Sequence, residues 1–139
     1  MAVPFHYLLI DDNPQDHLLA QEAFDYLCPD CKLTCVSNGQ EALRLLRSHG
    51  EQPDVLLLDI NMPGMNGFDI LKTVKEDAQL RHIPVVMLTT SGAREDISKA
   101  YSLFASSYLV KSTSFDDFLR QIEAFLKYWQ ASRVSHGVA

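Results

Sequence analysis

Short apolar runs alternate with polar, helix-like segments along the whole chain. One of these runs, Val-Leu-Leu-Leu at residues 55–58, stops at Asp59 and is followed by the turn-forming stretch Met62-Pro63-Gly64. A continuous apolar run of this length, bounded by turn residues, is typical of a strand that is buried on both faces. We therefore predict that Asp59 lies at the carboxyl end of a buried parallel strand.

Three other strand-like runs also end in polar residues: residues 7–10 in Asp11-Asp12, residues 85–88 in Thr89-Thr90-Ser91, and residues 108–110 in Lys111. In an open α/β sheet, ligands bind in the crevice beyond the carboxyl ends of the strands. The alternative for any one of these residues, taken alone, is an ordinary polar residue that closes a strand. Acids, hydroxyls and an ammonium group at four strand ends together predict one functional site.

Helical spacing fills the segments between the strands. Asn13-Pro14 predicts a capped helix start, and apolar residues including Leu18, Leu19, Ala23, Tyr26 and Leu27 repeat at helical spacing until Pro29. The predicted starts of the other helices are Asn38 to Glu41 as a capping box, Asn66 to Asp69, about residue 94 and about residue 115. Strands alternating with such helices predict a doubly wound α/β fold, a parallel sheet with helices on both faces.

Composition and charge exclude several classes of function. The chain has 139 residues, with 18 Asp and Glu against 12 Lys and Arg, giving a formal net charge of −6. Because the basic residues are few and scattered, we expect neither a nucleic-acid surface nor a membrane surface. No apolar run approaches the ~20 residues of a membrane span, and the first residues lack the pattern of a signal peptide. We expect one cytoplasmic domain over residues 1–139, with its core at about 5–130 and no output domain.

Cys28, Cys31 and Cys35 form an odd set of three cysteines, so we expect no disulfide framework. The Cys28-Pro29-Asp30-Cys31 spacing also suits a redox pair or half of a metal site. However, this pair follows a helix, whereas a helix amino end would lower a thiol pKa. No second pair of zinc ligands has suitable spacing. We interpret Cys28 and Cys31 as ordinary loop residues.

The polar strand ends and the turn after Asp59 carry a specific resemblance. Asp11-Asp12, Asp59 with Met62-Pro63-Gly64-Met65-Asn66-Gly67, Thr89 and Lys111, in this order and spacing, resemble the receiver domain of bacterial two-component response regulators. The similarity covers about residues 5–130. It implies a flavodoxin-like, CheY-like fold of five parallel strands in the order 2-1-3-4-5. It also implies a signalling switch, not an enzyme in the usual sense, with Asp59 accepting a phosphoryl group from a phosphohistidine of a sensor histidine kinase.

A divalent cation is expected at the acidic strand ends. Two carboxylates ~4 Å apart repel by roughly 4 kcal/mol at an effective dielectric of ~20, so a hard cation is needed to neutralise them. Mg²⁺ prefers octahedral oxygen ligands and is commonly held by one or two carboxylates plus a phosphate. By resemblance, Asp12, Asp59 and the backbone carbonyl of Asn61 bind Mg²⁺ directly, and Asp11 acts mainly through water. Lys111 and the Thr89 hydroxyl would help to neutralise the charge on the phosphoryl oxygens.

The resemblance also assigns a switch and a set of residues that tune hydrolysis. A phosphoryl group that draws the Thr89 hydroxyl inward leaves room for Tyr108 to turn inward as well; the alternative is that Tyr108 is a permanently buried core residue. The residues expected to tune hydrolysis of the phosphoryl group are Asn61, Thr90 and Ser91. The expected result is a changed surface on helix four, strand five and helix five.

Two departures from the family pattern are visible. Receivers usually have Pro after the active-site lysine, where this chain has Ser112; a cis Lys111-Ser112 bond would cost about 3 kcal/mol, against under about 1 for X-Pro. Phe104 stands where Gly is common, so we expect a different turn there. Together with Thr89-Thr90-Ser91 and the aromatic end of helix five, these features resemble single-domain receivers that serve phytochrome-type histidine kinases, bacteriophytochromes included.

The aromatic stripe of helix five predicts a homodimer. Its large residues continue to the last turn of the helix, where a small domain has little core left to cover, and exposed aromatics mark interfaces. The expected interface residues are Phe118, Phe125, Tyr128 and Trp129. The alternative, that Trp129 packs on its own sheet, stays open.

A phosphatase that uses an aspartyl phosphate intermediate is the competing function. Such enzymes place a second acid two residues after the nucleophile, and here that position is Asn61, which does not titrate. A dinucleotide-binding enzyme is disfavoured because no G-x-G-x-x-G follows the first strand. The sequence therefore favours the phosphoacceptor switch.

Overall fold

The computed structural model describes residues 4–48, 50 and 52–134. Within this part of the chain, five strands alternate with five helices. In chain order these are β1 (His6–Ile10), α1 (Pro14–Leu27), β2 (Lys32–Val36), α2 (Gly39–Arg47), β3 (Val55–Leu58), α3 (Gly67–Glu76), β4 (Val85–Thr89), α4 (Arg94–Ser102), β5 (Ser107–Val110) and α5 (Phe115–Gln130). None of the described helices is both long and apolar enough to cross a membrane.

All strand pairs are parallel, and the strand order is β2-β1-β3-β4-β5. The predicted fold class and strand order are thus confirmed. Ile10 pairs with Leu58, so the residues that follow them, Asp11 and Asp59, leave neighbouring strands side by side. This register, set by the buried apolar runs, brings the two carboxylates together.

Asparagine side chains cap three of the helices, as the sequence predicts. Asn13 accepts a hydrogen bond from the N–H of Gln15, and Asn38 accepts one from the N–H of Glu41. The complete reciprocal capping box is found in α3, where Asn66 and Asp69 each accept from the other's backbone N–H. These caps satisfy N–H groups that have no partner inside the helix.

The buried face of α1 differs from the apolar repeat that predicts the helix. Ala20, Ala23 and Phe24 are buried, whereas Leu18 and Tyr26 are 61% and 76% exposed. The helix is predicted correctly, but the spacing of its larger apolar residues does not reveal which side packs on the sheet. The small Ala20 and Ala23 face the sheet and allow α1 to approach it closely.

Successive residues of each strand belong to two different core layers, because side chains alternate between the faces of a sheet. Leu8 and Ile10 pack with α2, α3 and the inner side of α4. Tyr7 and Leu9 pack with α1 and α5 on the other face. We call Tyr7, Phe24, Phe125 and Trp129 the aromatic cluster; the ring centroids of Tyr7 and Phe24 are 5.3 Å apart, and those of Phe125 and Trp129 are 6.4 Å apart.

The aromatic cluster corrects the predicted dimer interface. Phe118, Phe125 and Trp129 are buried in the chain's own core, with 6 to 9% exposure, and of the four predicted interface residues Tyr128 is exposed, at 65%. The aromatic side chains cover Tyr7 and Phe24, and Val134 beyond the helix adds to this layer. The last turn of α5 therefore has core to cover, contrary to the expectation.

The cysteines also differ from the expectation, because Cys28 and Cys31 form a disulfide. A turn follows α1, in which the N–H of Cys31 donates to the carbonyl of Cys28 at 3.0 Å. The two Cα atoms lie 5.3 Å apart, within the range that a disulfide spans. The odd number of cysteines carries no information on this local geometry. Cys35 is free.

The two departures from the receiver pattern are accommodated differently. No cis peptide bond occurs among the described residues, so the Lys111–Ser112 bond is trans. Phe104 has a φ of 69°, in the left-handed region that favours glycine. We expected a turn with a different backbone, and this expectation is wrong. Phe104 adopts the left-handed conformation that glycine would adopt, and its ring is 75% exposed.

Candidate functional site

Three carboxylates converge beyond the carboxyl ends of β1 and β3. One carboxylate oxygen of each of Asp11, Asp12 and Asp59 lies within 4.8 Å of an oxygen of each of the other two. We call these residues the carboxylate cluster. Asp11 and Asp59 are buried, whereas Asp12 is exposed. The cluster thus joins two carboxylates that are shielded from water to one at the surface.

Lys111, which follows β5, reaches across the sheet to the same place. Its Nζ lies 2.7 Å from Asp11 Oδ2 and 3.5 Å from Asp59 Oδ2. Burial disfavours the charged amine, but the hydrogen bonds to Asp11 and Asp16 outweigh this cost and raise the pKa of Lys111 above its usual range. The ammonium group is therefore fully charged at neutral pH and faces the phosphoacceptor candidate.

Asp16 is a site residue that the sequence reasoning missed. It lies in the first turn of α1, and its Oδ2 is 2.7 Å from Lys111 Nζ. Lys111 and Asp16 are 95 positions apart in the sequence, so no local pattern links them. The sequence shows only an acidic residue in the first turn of the helix that follows Asp11 and Asp12. Acidic residues are common in that position, so this one does not stand out.

Both oxygens of Asp11 are already engaged. Oδ1 accepts from the N–H of Asn13 at 2.9 Å, and Oδ2 accepts from Lys111. Burial is the main cause that raises the pKa of Asp11 to about 6, against the opposing effect of these two hydrogen bonds and with a smaller contribution from the charge of Asp59. Asp11 is thus held as a partner of the lysine and pays a desolvation cost when ionised.

The turn after β3 fits closely around Asp59. Asp59 Oδ1 accepts from the N–H of Ile60 at 2.8 Å, and the N–H of Gly67 donates to the carbonyl of Ile60 at 2.9 Å. A Cβ atom at Gly67 would lie 2.2 Å from the backbone oxygen of Asp59. Glycine is therefore required at this position, where α3 starts directly against the backbone of Asp59 and Ile60.

The predicted switch residues lie at the ends of β4 and β5. Thr89 is fully buried, and its Oγ1 accepts from the N–H of Ser91 at 3.4 Å. The Tyr108 hydroxyl donates to the carbonyl of Ser91 at 2.8 Å, while the Ser91 hydroxyl donates to Asp96 in α4. One loop residue, Ser91, thus contacts Thr89, Tyr108 and α4.

The other predicted site residues lie on the surface around this cleft. Asn61 and Thr90 are both exposed. Asn61 lines an open cavity together with Asp12 from the carboxylate cluster and with Asp96 and Lys99 from α4. Asn61 and the exposed member of the carboxylate cluster therefore share one open cavity.

The donor set suits a hard divalent cation. Carboxylate oxygens are the ligands that Mg²⁺ and Mn²⁺ share, and the cluster leaves an unbalanced negative charge even with Lys111 in place. Asp12 is exposed, and one of its carboxylate oxygens lies within 4.8 Å of an oxygen of Asp11 and an oxygen of Asp59. The residues present therefore fit a divalent cation.

Sequence comparison identifies the family that shares this arrangement. Residues 7–123 match the family model described as the response regulator receiver domain. The chain is 37% identical over 140 residues to the probable methanogenesis regulatory protein FilR2 of Methanothrix harundinacea, covering 98% of this chain and 90% of that protein. It is 32% identical over 127 residues to response regulator Rcp1 of Synechocystis, covering 88% of this chain and 86% of Rcp1.

Solved structures agree with these sequence relatives. The phosphorylated cyanobacterial phytochrome response regulator RcpA superposes with a TM-score of 0.88 at 31% identity, over 94% of this chain and 98% of that one. The Mn²⁺-bound form of Rcp1 superposes with a TM-score of 0.86 at 29% identity, over 95% of this chain and 99% of that one. With the carboxylate cluster, the Mn²⁺-bound neighbour supports a divalent cation site at Asp11, Asp12 and Asp59.

Proposed function

The chain belongs to the response regulator receiver family, and from this premise we propose that it is a stand-alone response regulator that accepts a phosphoryl group on Asp59. The observation that carries the proposal is the convergence of Asp59, the two other carboxylates and the Lys111 ammonium at one edge of the sheet. The relatives FilR2 and Rcp1 are of similar length to this chain. We assign it to signalling, with the phosphoryl chemistry taking place on its own side chain.

Asp59 is the nucleophile in this proposal. A carboxylate oxygen attacks the phosphorus of a phosphohistidine, a P–O bond forms, and the P–N bond breaks with its electron pair going to the histidine nitrogen. The Lys111 ammonium stabilises the charge on the transferred oxygens, and the Thr89 hydroxyl can donate to one of them. Water later attacks the phosphorus, which restores the Asp59 carboxylate and releases inorganic phosphate.

We assign Mg²⁺ as the cation, held by Asp12, Asp59 and the Asn61 carbonyl, where it would neutralise charge on the transferred phosphoryl oxygens. Asp11 serves mainly as the partner of Lys111, whose Nζ lies 2.7 Å from Asp11 Oδ2 but 3.5 Å from Asp59 Oδ2. Between the two residues that follow β1, Asp12 is open to solvent and Asp11 is buried, which favours Asp12 as the direct ligand.

The phosphodonor we propose is a phytochrome-type sensor histidine kinase. RcpA is by its description a phytochrome response regulator, and the similarity to this chain extends over nearly all of both proteins. Phosphorylation would change the hydrogen bonds at Thr89, Ser91 and Tyr108. Because Ser91 also contacts Asp96 in α4, the change would pass to the surface of α4 and β5. Asn61 is exposed two residues after Asp59, and the exposed Thr90 directly follows Thr89; we infer that both tune the access of hydrolytic water.

Intact-mass spectrometry tests the phosphoacceptor. Wild-type protein incubated with Mg²⁺ and acetyl phosphate should gain one phosphoryl group, and the Asp59→Asn variant should gain none, because an amide is not a nucleophile toward phosphorus. The Asp12→Asn variant is the matched control, since it removes the same charge but leaves the nucleophile in place; it should be phosphorylated more slowly. A phosphoryl group on the Asp59→Asn protein would contradict the proposal.

We also propose that the chain forms a homodimer through an exposed apolar patch, which we call the α4–β5–α5 patch. It consists of Tyr101, Phe104, Val110, Phe115 and Tyr128, each at least 40% exposed. These residues belong to α4, the turn after it, β5 and α5. Large apolar side chains left exposed on these elements favour an interface between subunits. Of the four interface residues predicted from the sequence, Tyr128 is the one that also belongs to this patch.

Light scattering tests the dimer with a matched pair of double variants. Tyr101→Asp/Phe104→Asp places two charges in the α4–β5–α5 patch and should give a monomer. Leu18→Asp/Tyr26→Asp places two charges on the exposed face of α1 and should leave the dimer intact. A wild-type protein that is monomeric at micromolar concentration, with and without phosphorylation, would show that the patch does not pair two copies of this chain.

A further inference from the structure

We propose that Gln121, in α5, is a positioning residue for Lys111 that holds the backbone on both sides of the lysine. The inference rests on the proposed function, because it assigns Lys111 a part in phosphoryl transfer. It goes beyond that function in naming a residue of α5, outside the strand ends, that sets the position of the active-site ammonium group.

The side-chain amide of Gln121 makes two hydrogen bonds to the chain around Lys111. Its Nε2 donates to the carbonyl of Val110 at 2.6 Å, and its Oε1 accepts from the N–H of Ser112 at 3.2 Å. Val110 and Ser112 are the immediate neighbours of Lys111 in the chain. One planar group therefore bridges the residues before and after the lysine.

This arrangement imitates the hydrogen bonds that one residue of a parallel sixth strand would make. β5 is at the edge of the sheet, with β4 on one side. The N–H of Lys111 donates to the carbonyl of Thr89 at 2.8 Å, so the lysine backbone faces β4. The carbonyl of Val110 and the N–H of Ser112 then face the open side, where a parallel neighbour would offer one donor and one acceptor. Gln121 offers both.

The residue type at position 112 makes this bridge possible. Serine has a backbone N–H, which proline lacks, and here that N–H is used by Gln121. With Thr89 on one side and Gln121 on the other, the backbone of residues 110–112 is held by three hydrogen bonds. The Lys111 side chain, 11% exposed, extends from this fixed segment to Asp11, Asp16 and Asp59.

A purely structural role would affect the fold or the whole site equally, whereas a positioning role affects the lysine and spares the cation ligands. The two hydrogen bonds of the Gln121 amide go to the backbone at Val110 and Ser112, so it acts on Lys111 through the backbone and not through the carboxylate cluster. The two roles can therefore be separated by measuring phosphorylation and cation binding in the same variant.

Gln121→Met, which has a similar length but no polar atoms, is the first variant. We expect phosphorylation by acetyl phosphate with Mg²⁺ to slow by about tenfold, the factor that corresponds to ~1.4 kcal/mol. Mg²⁺ affinity, measured by calorimetry without phosphodonor, should stay unchanged. Gln130→Met is the matched control: the same substitution on the same helix, at a glutamine whose amide contacts Cys28 and Cys31 instead, should leave both quantities unchanged.

A double-variant cycle with Ser112→Pro examines the bridge itself. Proline removes the N–H that Gln121 accepts, so Gln121→Met should slow phosphorylation by a smaller factor in the Ser112→Pro protein than in wild type. Equal factors in the two backgrounds would overturn the bridge. A wild-type rate for Gln121→Met, or a loss of Mg²⁺ affinity in parallel with the rate, would overturn the positioning role.

An NMR measurement separates this inference from the proposed function. The ammonium resonance of Lys111 in unphosphorylated, lysine-labelled protein should shift in Gln121→Met and stay in place in Gln130→Met. If wild type gains no phosphoryl group, the proposed function is wrong, and an unmoved Lys111 resonance would then overturn the positioning of the lysine as well.

Discussion

The carboxylate cluster and the aromatic cluster lie at different parts of the same sheet and have opposite effects on stability. At the carboxyl ends of the strands, acids of like charge are packed around one ammonium group, and burial raises the pKa of Asp11. Between α1 and α5, rings contact one another and are nearly closed to solvent. The comparison teaches that the site is tolerated because the apolar layers beside it provide the stability.

The largest effect on stability is expected from the aromatic cluster. Phe125→Ala should lower the free energy of unfolding by about 3 to 5 kcal/mol, because it opens a cavity between Tyr7, Phe24 and Trp129. Urea denaturation followed by circular dichroism measures the loss. Tyr128→Ala is the control, since that ring is 65% exposed and contacts Trp129 from outside; an equal loss in both variants would contradict the comparison.

At the carboxylate cluster, removing a charge should stabilise the protein. The pKa of Asp11 is raised to about 6 in the folded protein from 3.8, so the folded state binds the proton more tightly. The ionised carboxylate therefore destabilises the fold fully above pH ~6, and this cost disappears as the pH falls toward ~4. Asp11→Asn should gain on the order of 2 kcal/mol at pH 7 without divalent cation.

Calorimetric melting curves between pH 4 and 7, in the presence of a chelator, measure this gain. The wild type should become more stable as the pH falls, and Asp11→Asn should lose that part of the pH dependence. Asp12→Asn, at the exposed member of the cluster, serves as the comparison variant. A pH dependence that is identical in wild type and Asp11→Asn would refute the assignment.

The disulfide beside α5 is expected to contribute less to the stability of the fold than the aromatic cluster does. It closes a loop with a sequence separation of 3, so the chain-entropy gain is about 1 to 2 kcal/mol, below the ~3 of a 15-residue loop. Cys28→Ser should lower the melting temperature by a few degrees under oxidising conditions and by nothing under reducing conditions. Cys35→Ser is the control, because Cys35 is free. If the melting temperatures of wild type and Cys28→Ser still differed in reductant, the effect would come from side-chain packing and not from the disulfide.

The smallest effect is expected at Asp16. Asp16→Asn removes one of the carboxylates that pair with Lys111. The ammonium group then interacts more strongly with the incoming phosphoryl group. Phosphorylation by acetyl phosphate should be faster by about two- to fivefold, equivalent to under ~1 kcal/mol. Asp25→Asn, at the far end of the same helix, is the control. A slower reaction would mean that Asp16 positions the lysine more than it competes for it.

The fold and most of the candidate site were predictable from sequence for a local reason. Buried parallel strands read as continuous apolar runs, and the polar residue after each run marks its carboxyl end, so Asp11, Asp59, Thr89 and Lys111 could be assigned to one edge of the sheet. The roles of Asn61, Thr90, Ser91 and Tyr108 came from the resemblance and remain predictions. Asp16 carries no local signal, because Lys111 is 95 positions away in the sequence. The role of Gln121 depends on how α5 packs beside the end of β5, which residue spacing alone does not reveal.

By itself, the sequence determined the order of strands and helices, the helix caps and the identity of the phosphoacceptor candidate, because these depend on the spacing of neighbouring residues. The tertiary structure alone decided which side of each helix is covered. The aromatic stripe of α5 has the same periodicity whether it meets a second subunit or its own sheet, and the presence of Tyr7 and Phe24 opposite it makes it core. The same holds around Lys111. Asp16, which pairs with its ammonium group, lies in α1, and Gln121, which bonds the backbone on both sides of it, lies in α5; both become its neighbours when α1, β5 and α5 are assembled.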